Sequence, residues 1–105
     1  MYRDLKTLNV ELNTPKGSVF SGKAGLVELR TTDGVIAISP QEESYFNLTQ
    51  TTQITLRVGT EFLGFVLRNA AASLRNGLLT VIAEDIQPMP AEPVSTIPRN
   101  GASVP

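Results

Sequence analysis

Few residues in this chain have types and spacing that could do chemistry. They are the adjacent acids Glu42-Glu43 and Glu84-Asp85, the serines Ser21, Ser39 and Ser44, and Lys23. Catalytic carboxylate pairs face each other across a substrate, and neighbours in a loop seldom do. Glu42-Glu43 therefore reads as a solvated loop and Glu84-Asp85 as a solvated strand end. A nucleophilic serine needs a base to take its proton, and the sequence contains no histidine. The same absence removes the commonest metal ligand, and no three or four acids stand at ligand spacing. There is no cysteine either, so thiolate chemistry and disulfides are excluded. The expectation is a protein that is not an enzyme and that uses no metal and no cofactor.

Gly17-Ser-Val-Phe-Ser-Gly22-Lys23 satisfies the first seven positions of a phosphate-binding P-loop. The next position must be Ser or Thr to hold magnesium, and it is Ala24. The motif must also open a helix whose N-terminal amides cradle phosphate, whereas the residues beyond alternate as a strand. The segment is predicted to be a turn and strand, with Lys23 solvated.

Composition narrows the remaining classes. A chain of 105 residues with 41% hydrophobic content makes one domain with a modest core. Net charge is −1, and the nine basic residues are spread along the chain, so no patch exists to track a nucleic-acid backbone. The apolar runs are too short to cross a bilayer, and Met1 to Lys6 lacks the apolar segment of a secretory signal. Asn47-Leu48-Thr49 fits a glycosylation acceptor, but without that signal it reads as ordinary surface.

The elements that position these residues are strands. Val27 and Leu29 alternate with Glu28 and Arg30, Thr32-Asp33-Gly34 breaks the run, and Val35 to Ser39 leaves it, stopping at Pro40. Asp-Gly between two such runs predicts a tight hairpin. Leu8 to Asn13 alternates with Leu8, Val10 and Leu12 inward, and Thr14-Pro15-Lys16-Gly17 follows as a turn. Val19 to Ser21 is a short strand. Pro40 to Gln53 is predicted as a loop anchored by Tyr45, Phe46 and Leu48. Gln53 to Val58 alternates again, Gly59-Thr60-Glu61 turns, and Phe62 to Leu67 is apolar on both parities, as in a strand covered on two sides. Asn69 to Arg75 is taken as a strand despite its three alanines, because strands flank it. Asn76-Gly77 predicts a second tight hairpin before a last strand from Leu78 to Ala83.

Five of the seven prolines lie between Pro88 and Pro105, where a helix cannot be sustained. The organisation predicted is a folded domain over residues 1–86 and a Pro-rich, unfolded tail over 87–105. The fold class is all-β: a flattened antiparallel sandwich of about eight to ten short strands, with no C-terminal helical domain.

Taken as a set, these stretches resemble the N-terminal β-sandwich of the epsilon subunit of bacterial-type rotary ATP synthases (delta in mitochondria). The residues that carry the resemblance are Leu8-x-Val10-x-Leu12-x-Thr14-Pro15, Val19-Phe20-Ser21-Gly22-x-Ala24 and Val27-x-x-x-Thr31-x-Asp33-Gly34-x-Ile36-x-Ile38-x-Pro40. Phe65-Val66-Leu67 and Asn76-Gly77-x-Leu79-x-Val81-Ile82-Ala83-Glu84-Asp85 complete the series.

The resemblance implies a non-catalytic central-stalk subunit docked on the gamma subunit and on the membrane ring of c subunits, coupling ion flow to ATP synthesis. It would sit peripherally on the inner, cytoplasmic face of the membrane, or on the matrix side in an organelle. By the same resemblance Asp33, Gly34, Val35, Gln41, Glu42 and Glu43 would face the c-ring, and Thr14 and Pro15 would face gamma. The chain departs from the family pattern in four places. Gln41-Glu42-Glu43-Ser44 stands where members carry Gly-His-Ala-Pro, and Val35 stands where many have glutamate. Arg68-Asn69-Ala70 replaces Ser-Gly-Gly, and the Pro-rich tail stands where a helical hairpin that can inhibit rotation commonly follows. A second reading is a free-standing sandwich of the same descent that associates with itself or with an unrelated protein.

Overall fold

The computed structural model describes residues 7–40 and 43–89, and every regular element in them is a strand. The eight strands are β1 (Leu8–Thr14), β2 (Gly17–Ala24), β3 (Leu26–Thr31), β4 (Gly34–Ala37), β5 (Ser44–Leu48), β6 (Thr52–Val58), β7 (Glu61–Arg75) and β8 (Leu78–Met89).

Four of the connections are two-residue loops, and their backbone follows from their residues. Asn76 and Gly77 both have positive φ (52° and 75°), the conformation of a type I′ hairpin, which asparagine and glycine tolerate. Gly59 (φ 65°) occupies the first central position of the β6–β7 loop, as a type II′ turn requires. The β3–β4 hairpin differs from expectation in detail. Thr31 pairs with Gly34, so Thr32 and Asp33 are the loop residues and Gly34 opens β4 with φ 133°.

The strands form one continuous hydrogen-bonded sheet in the order β2-β1-β8-β7-β6-β3-β4, with β5 added beside β7. Continuity across two layers is possible because β7 and β8 are long enough to belong to both. The second half of β7 pairs with β5, and its first half pairs with β6. Inward-facing residues on β7 are Phe65 and Leu67 before Arg68, but Ala70, Ala72 and Leu74 after it, a switch of parity. On β8 the inward set changes likewise from Leu79, Val81 and Ala83 to Ile86. Asn69, with φ 51°, is the residue that breaks the pleat. The two halves thus turn their apolar faces toward each other, and a single core cluster contains Val10, Leu12 and Leu79 from one layer with Leu29, Ile54 and Leu56 from the other. This is the sandwich predicted from the alternation.

Several differences from the sequence-based expectation have plain physical causes. Residues 44–48, expected as loop, form β5, because Phe46 and Leu48 alternate inward with Tyr45 and Asn47 outward. Two apolar residues are too short a run to stand out in sequence. Tyr45, expected as an anchor, is 70% exposed. The segments 62–67 and 69–75, read as two strands, are one bent strand. On the first half of β7 the inward Phe65 and Leu67 are buried, and the outward Phe62 and Val66 are half-buried with Gly64 buried between them, so its outer face is partly covered as well. All neighbouring strands are antiparallel except β1 and β8, which run parallel. β8 runs through Pro88 to Met89, where it has a neighbour on one side only, a position at which a strand tolerates proline. Residues 90–105 of the expected tail lie outside the described residues.

Candidate docking surfaces

The β1–β2 and β3–β4 turns, which carry the expected docking residues, share one device, a Thr-x-x-Gly frame. In the β1–β2 turn, Thr14 Oγ1 accepts the Lys16 N–H (3.1 Å) and donates to the Gly17 carbonyl (3.4 Å). In the β3–β4 turn, Thr31 Oγ1 accepts the Asp33 N–H (3.1 Å) and donates to the Gly34 carbonyl (3.0 Å). A threonine hydroxyl can do both at once, which closes the loop without any partner from the core. Pro15 fits the first loop position because its fixed φ suits a residue whose φ is negative. Thr14 is half-buried and Pro15 exposed at that tip.

Beside the second hairpin lies a groove of about 420 Å³. It opens where the edge of one layer, β5, passes the β3–β4 hairpin of the other. Ile36, Phe46 and Leu48 supply its apolar lining, and Asp33 is its one charged lining residue. Thr32 Oγ1 donates to Gln50 Oε1 (2.8 Å), tying the hairpin tip to the loop between β5 and β6. Sequence reasoning named Asp33 and its neighbours, read Ile36 as part of the family pattern and Tyr45 as a loop anchor without placing either at a groove, and missed the Gln50 tie. Only the fold brings residues 18 positions apart into contact.

The expected c-ring-facing residues fall in two places. Asp33, Gly34 and Val35 are exposed at the tip and start of β4. Glu43, also exposed, leads into β5 at the end where Ser44 pairs with Leu74, whereas the groove lies toward Leu48, which pairs with Ala70. β5 therefore runs between Glu43 and the Asp33 end. Gln41 and Glu42 lie outside the described residues. Among the described residues no three carboxylates converge. Gly17 to Lys23, the P-loop near-match, lies in edge strand β2, paired with β1 except at a bulge at Val19, and opens no helix.

Outward-facing apolar side chains mark other surfaces. Ile82 is 60% exposed on the outer face of β8, beside Asn13 of β1 and Ala71 of β7. Tyr45 stands on the same layer, paired with Ser73. Small neighbours make this face flat, with the two larger residues rising from it.

Comparison with known proteins gives a consistent result. The family model described as "ATP synthase, Delta/Epsilon chain, beta-sandwich domain" matches residues 7–89. Among curated proteins, the ATP synthase epsilon chain of Hydrogenovibrio crunogenus is 24% identical over 78 residues, covering 74% of this chain and 54% of that protein. Among solved structures, a chain of the Euglena gracilis mitochondrial ATP synthase, from a cryo-EM structure of OSCP/F1/c-ring in rotational state 1, superposes with a TM-score of 0.69. Its identity is 12%, and the match covers 83% of this chain and 56% of that one. The chain thus spans about half the length of the relatives it matches. With the family model covering all eight described strands, the chain belongs to the ATP synthase delta/epsilon β-sandwich family.

Proposed function

We propose that this chain is a non-catalytic subunit of the central stalk of a rotary ATP synthase, docking on gamma and the c-ring. The observation that carries the proposal is the family match over residues 7–89 on a sandwich that retains both framed hairpins. The Asp33–Val35 hairpin with its groove is assigned to the c-ring side, the loop Gln41 to Glu43 is proposed as a separate contact with the same ring because Glu43 lies at the other end of β5, and the Thr14-Pro15 turn is assigned to gamma. The role needs no cofactor. The Pro-rich stretch after Met89 is not assigned the work of an inhibitory helical arm, since its prolines oppose helix formation. No helix among the described residues is long and apolar enough to cross a membrane. The proposed place is peripheral, on the inner face of the membrane as part of the complex.

The test is to tag the protein in its own cells, solubilise membranes gently and identify what co-purifies. Recovery of gamma with the alpha and beta subunits is the expected outcome. Recovery of the protein alone or only with itself would instead favour the second reading, a self-associating sandwich outside the synthase. The exposure of Ile82 and Tyr45 on a flat face supports that alternative, because such pairs serve self-contact as readily as partner contact.

A further inference from the structure

The geometry points to Asn76 as a deamidation site that the β7–β8 hairpin holds shut and that reacts when the hairpin opens. Of the five asparagines among the described residues, Asn76 alone precedes a glycine. It is exposed, and its carboxamide has no hydrogen-bond partner among the described residues. Gly77 has no Cβ, so its backbone nitrogen is uncrowded. In the reaction that nitrogen attacks Asn76 Cγ. The N–Cγ bond forms, the Cγ–Nδ2 bond breaks, and ammonia leaves carrying the proton from the Gly77 N–H. Water then opens the cyclic imide at either carbonyl, leaving aspartate or isoaspartate at position 76.

The folded turn opposes the first step. Ring closure needs the Gly77 nitrogen nearly eclipsed with Asn76 Cβ. Asn76 (φ 52°) and Gly77 (φ 75°) instead hold the type I′ conformation, in which ψ at the first central residue is about +30° and the two atoms are nearly anti. Arg75 pairs with Leu78 across the loop, and the Gly77 carbonyl accepts the Asn9 N–H at 2.9 Å, so the turn is clamped from two sides. Conversion therefore proceeds through opening of the hairpin tip.

The two products differ in effect. Aspartate keeps the backbone length and tolerates left-handed φ. Isoaspartate adds a methylene to the main chain, which displaces the Gly77 carbonyl and releases Asn9 at the start of β1. Either product places a carboxylate next to Arg75, at the end of the sandwich where Glu43 enters β5.

The experiment incubates the full chain at mildly alkaline pH, native and in denaturant, and follows conversion by peptide mapping that separates aspartate from isoaspartate. Cleavage after Arg75 and Arg99 puts Asn76 and Asn100, the other Asn-Gly in the sequence, in different peptides. The expected result is conversion of Asn76 in the unfolded chain about tenfold or more faster than in the native one, the ratio reporting local opening. Equal rates would overturn the gating, and absence of conversion in the unfolded chain would overturn the site. Hydrogen exchange on the isoaspartate form should show faster exchange at the Asn9 amide, while N76D should leave it protected. An unchanged Asn9 amide in the isoaspartate form would overturn the proposed release of β1.

Discussion

Asn69 Nδ2 donates a 2.7 Å hydrogen bond to Glu84 Oε2 at the corner where β7 and β8 pass together from one layer to the other. Asn69 is also the left-handed residue at which β7 changes its inward parity. Asparagine serves here because it tolerates positive φ and because its amide reaches the facing strand. The family pattern implied glycine at this place, and the side chain supplies a cross-strand bond that glycine cannot.

Substitution at this corner should separate the two contributions. N69A loses the bond and keeps a Cβ in the left-handed region, and should cost about 1–3 kcal/mol in urea unfolding. N69G loses the bond but removes the backbone strain, and should cost about 1 kcal/mol or less. A larger loss for N69G than for N69A would contradict this account of the corner.

The glycines should also divide. A methyl group on Gly34 would meet nothing within 4 Å, yet its φ of 133° is one that side chains rarely adopt. G34A should therefore destabilise by about 1–2 kcal/mol through the backbone alone. Gly25 has no such φ, and its added Cβ would overlap the guanidinium of Arg57, the far end of a flexible side chain. G25A should cost less than G34A, with Arg57 moving aside. Thermal melts of the two variants, compared directly, decide the order.

Removing either turn hydroxyl deletes two hydrogen bonds at an exposed tip. T14A and T31A should each lower stability by about 0.5–1.5 kcal/mol, with additive effects in the double variant because the turns share no partners. Strong coupling between them would mean that the turns communicate through the sheet.

Core and surface aliphatics should behave oppositely. Leu56 is fully buried in the cluster, and L56A should cost about 2–5 kcal/mol. Ile82 faces solvent at 60% exposure, and I82S should change stability by less than about 0.5 kcal/mol. Its effect should appear in association: reduced recovery of a partner or of a second copy in pull-down. If I82S unfolds the chain, Ile82 belongs to the core.

The groove gives a last check. T32A removes the bond to Gln50, so amide exchange should quicken around the β3–β4 tip and residues 49–52 while the rest of the sheet keeps its protection. Uniform loss of protection would show that the tie supports the whole fold.

What the sequence determined by itself was the facing of the regularly alternating strands. Residues such as Val10, Leu12, Val27, Leu29, Ile54 and Leu56 recur at period two, and a period-two pattern has one buried face wherever it folds. Asn76-Gly77 likewise specified its own turn, because the needed φ values are properties of those residue types. The tertiary structure decided what depends on distant partners. β5 became a strand because β7 offered it an edge, and residues 62–75 became one strand because Asn69 could bend it. The parallel pairing of β1 with β8, the Thr32–Gln50 tie and the separation of Glu43 from the Asp33 tip have no local signal either. Each is a contact between segments remote in sequence, and local periodicity carries no information about which segments will meet.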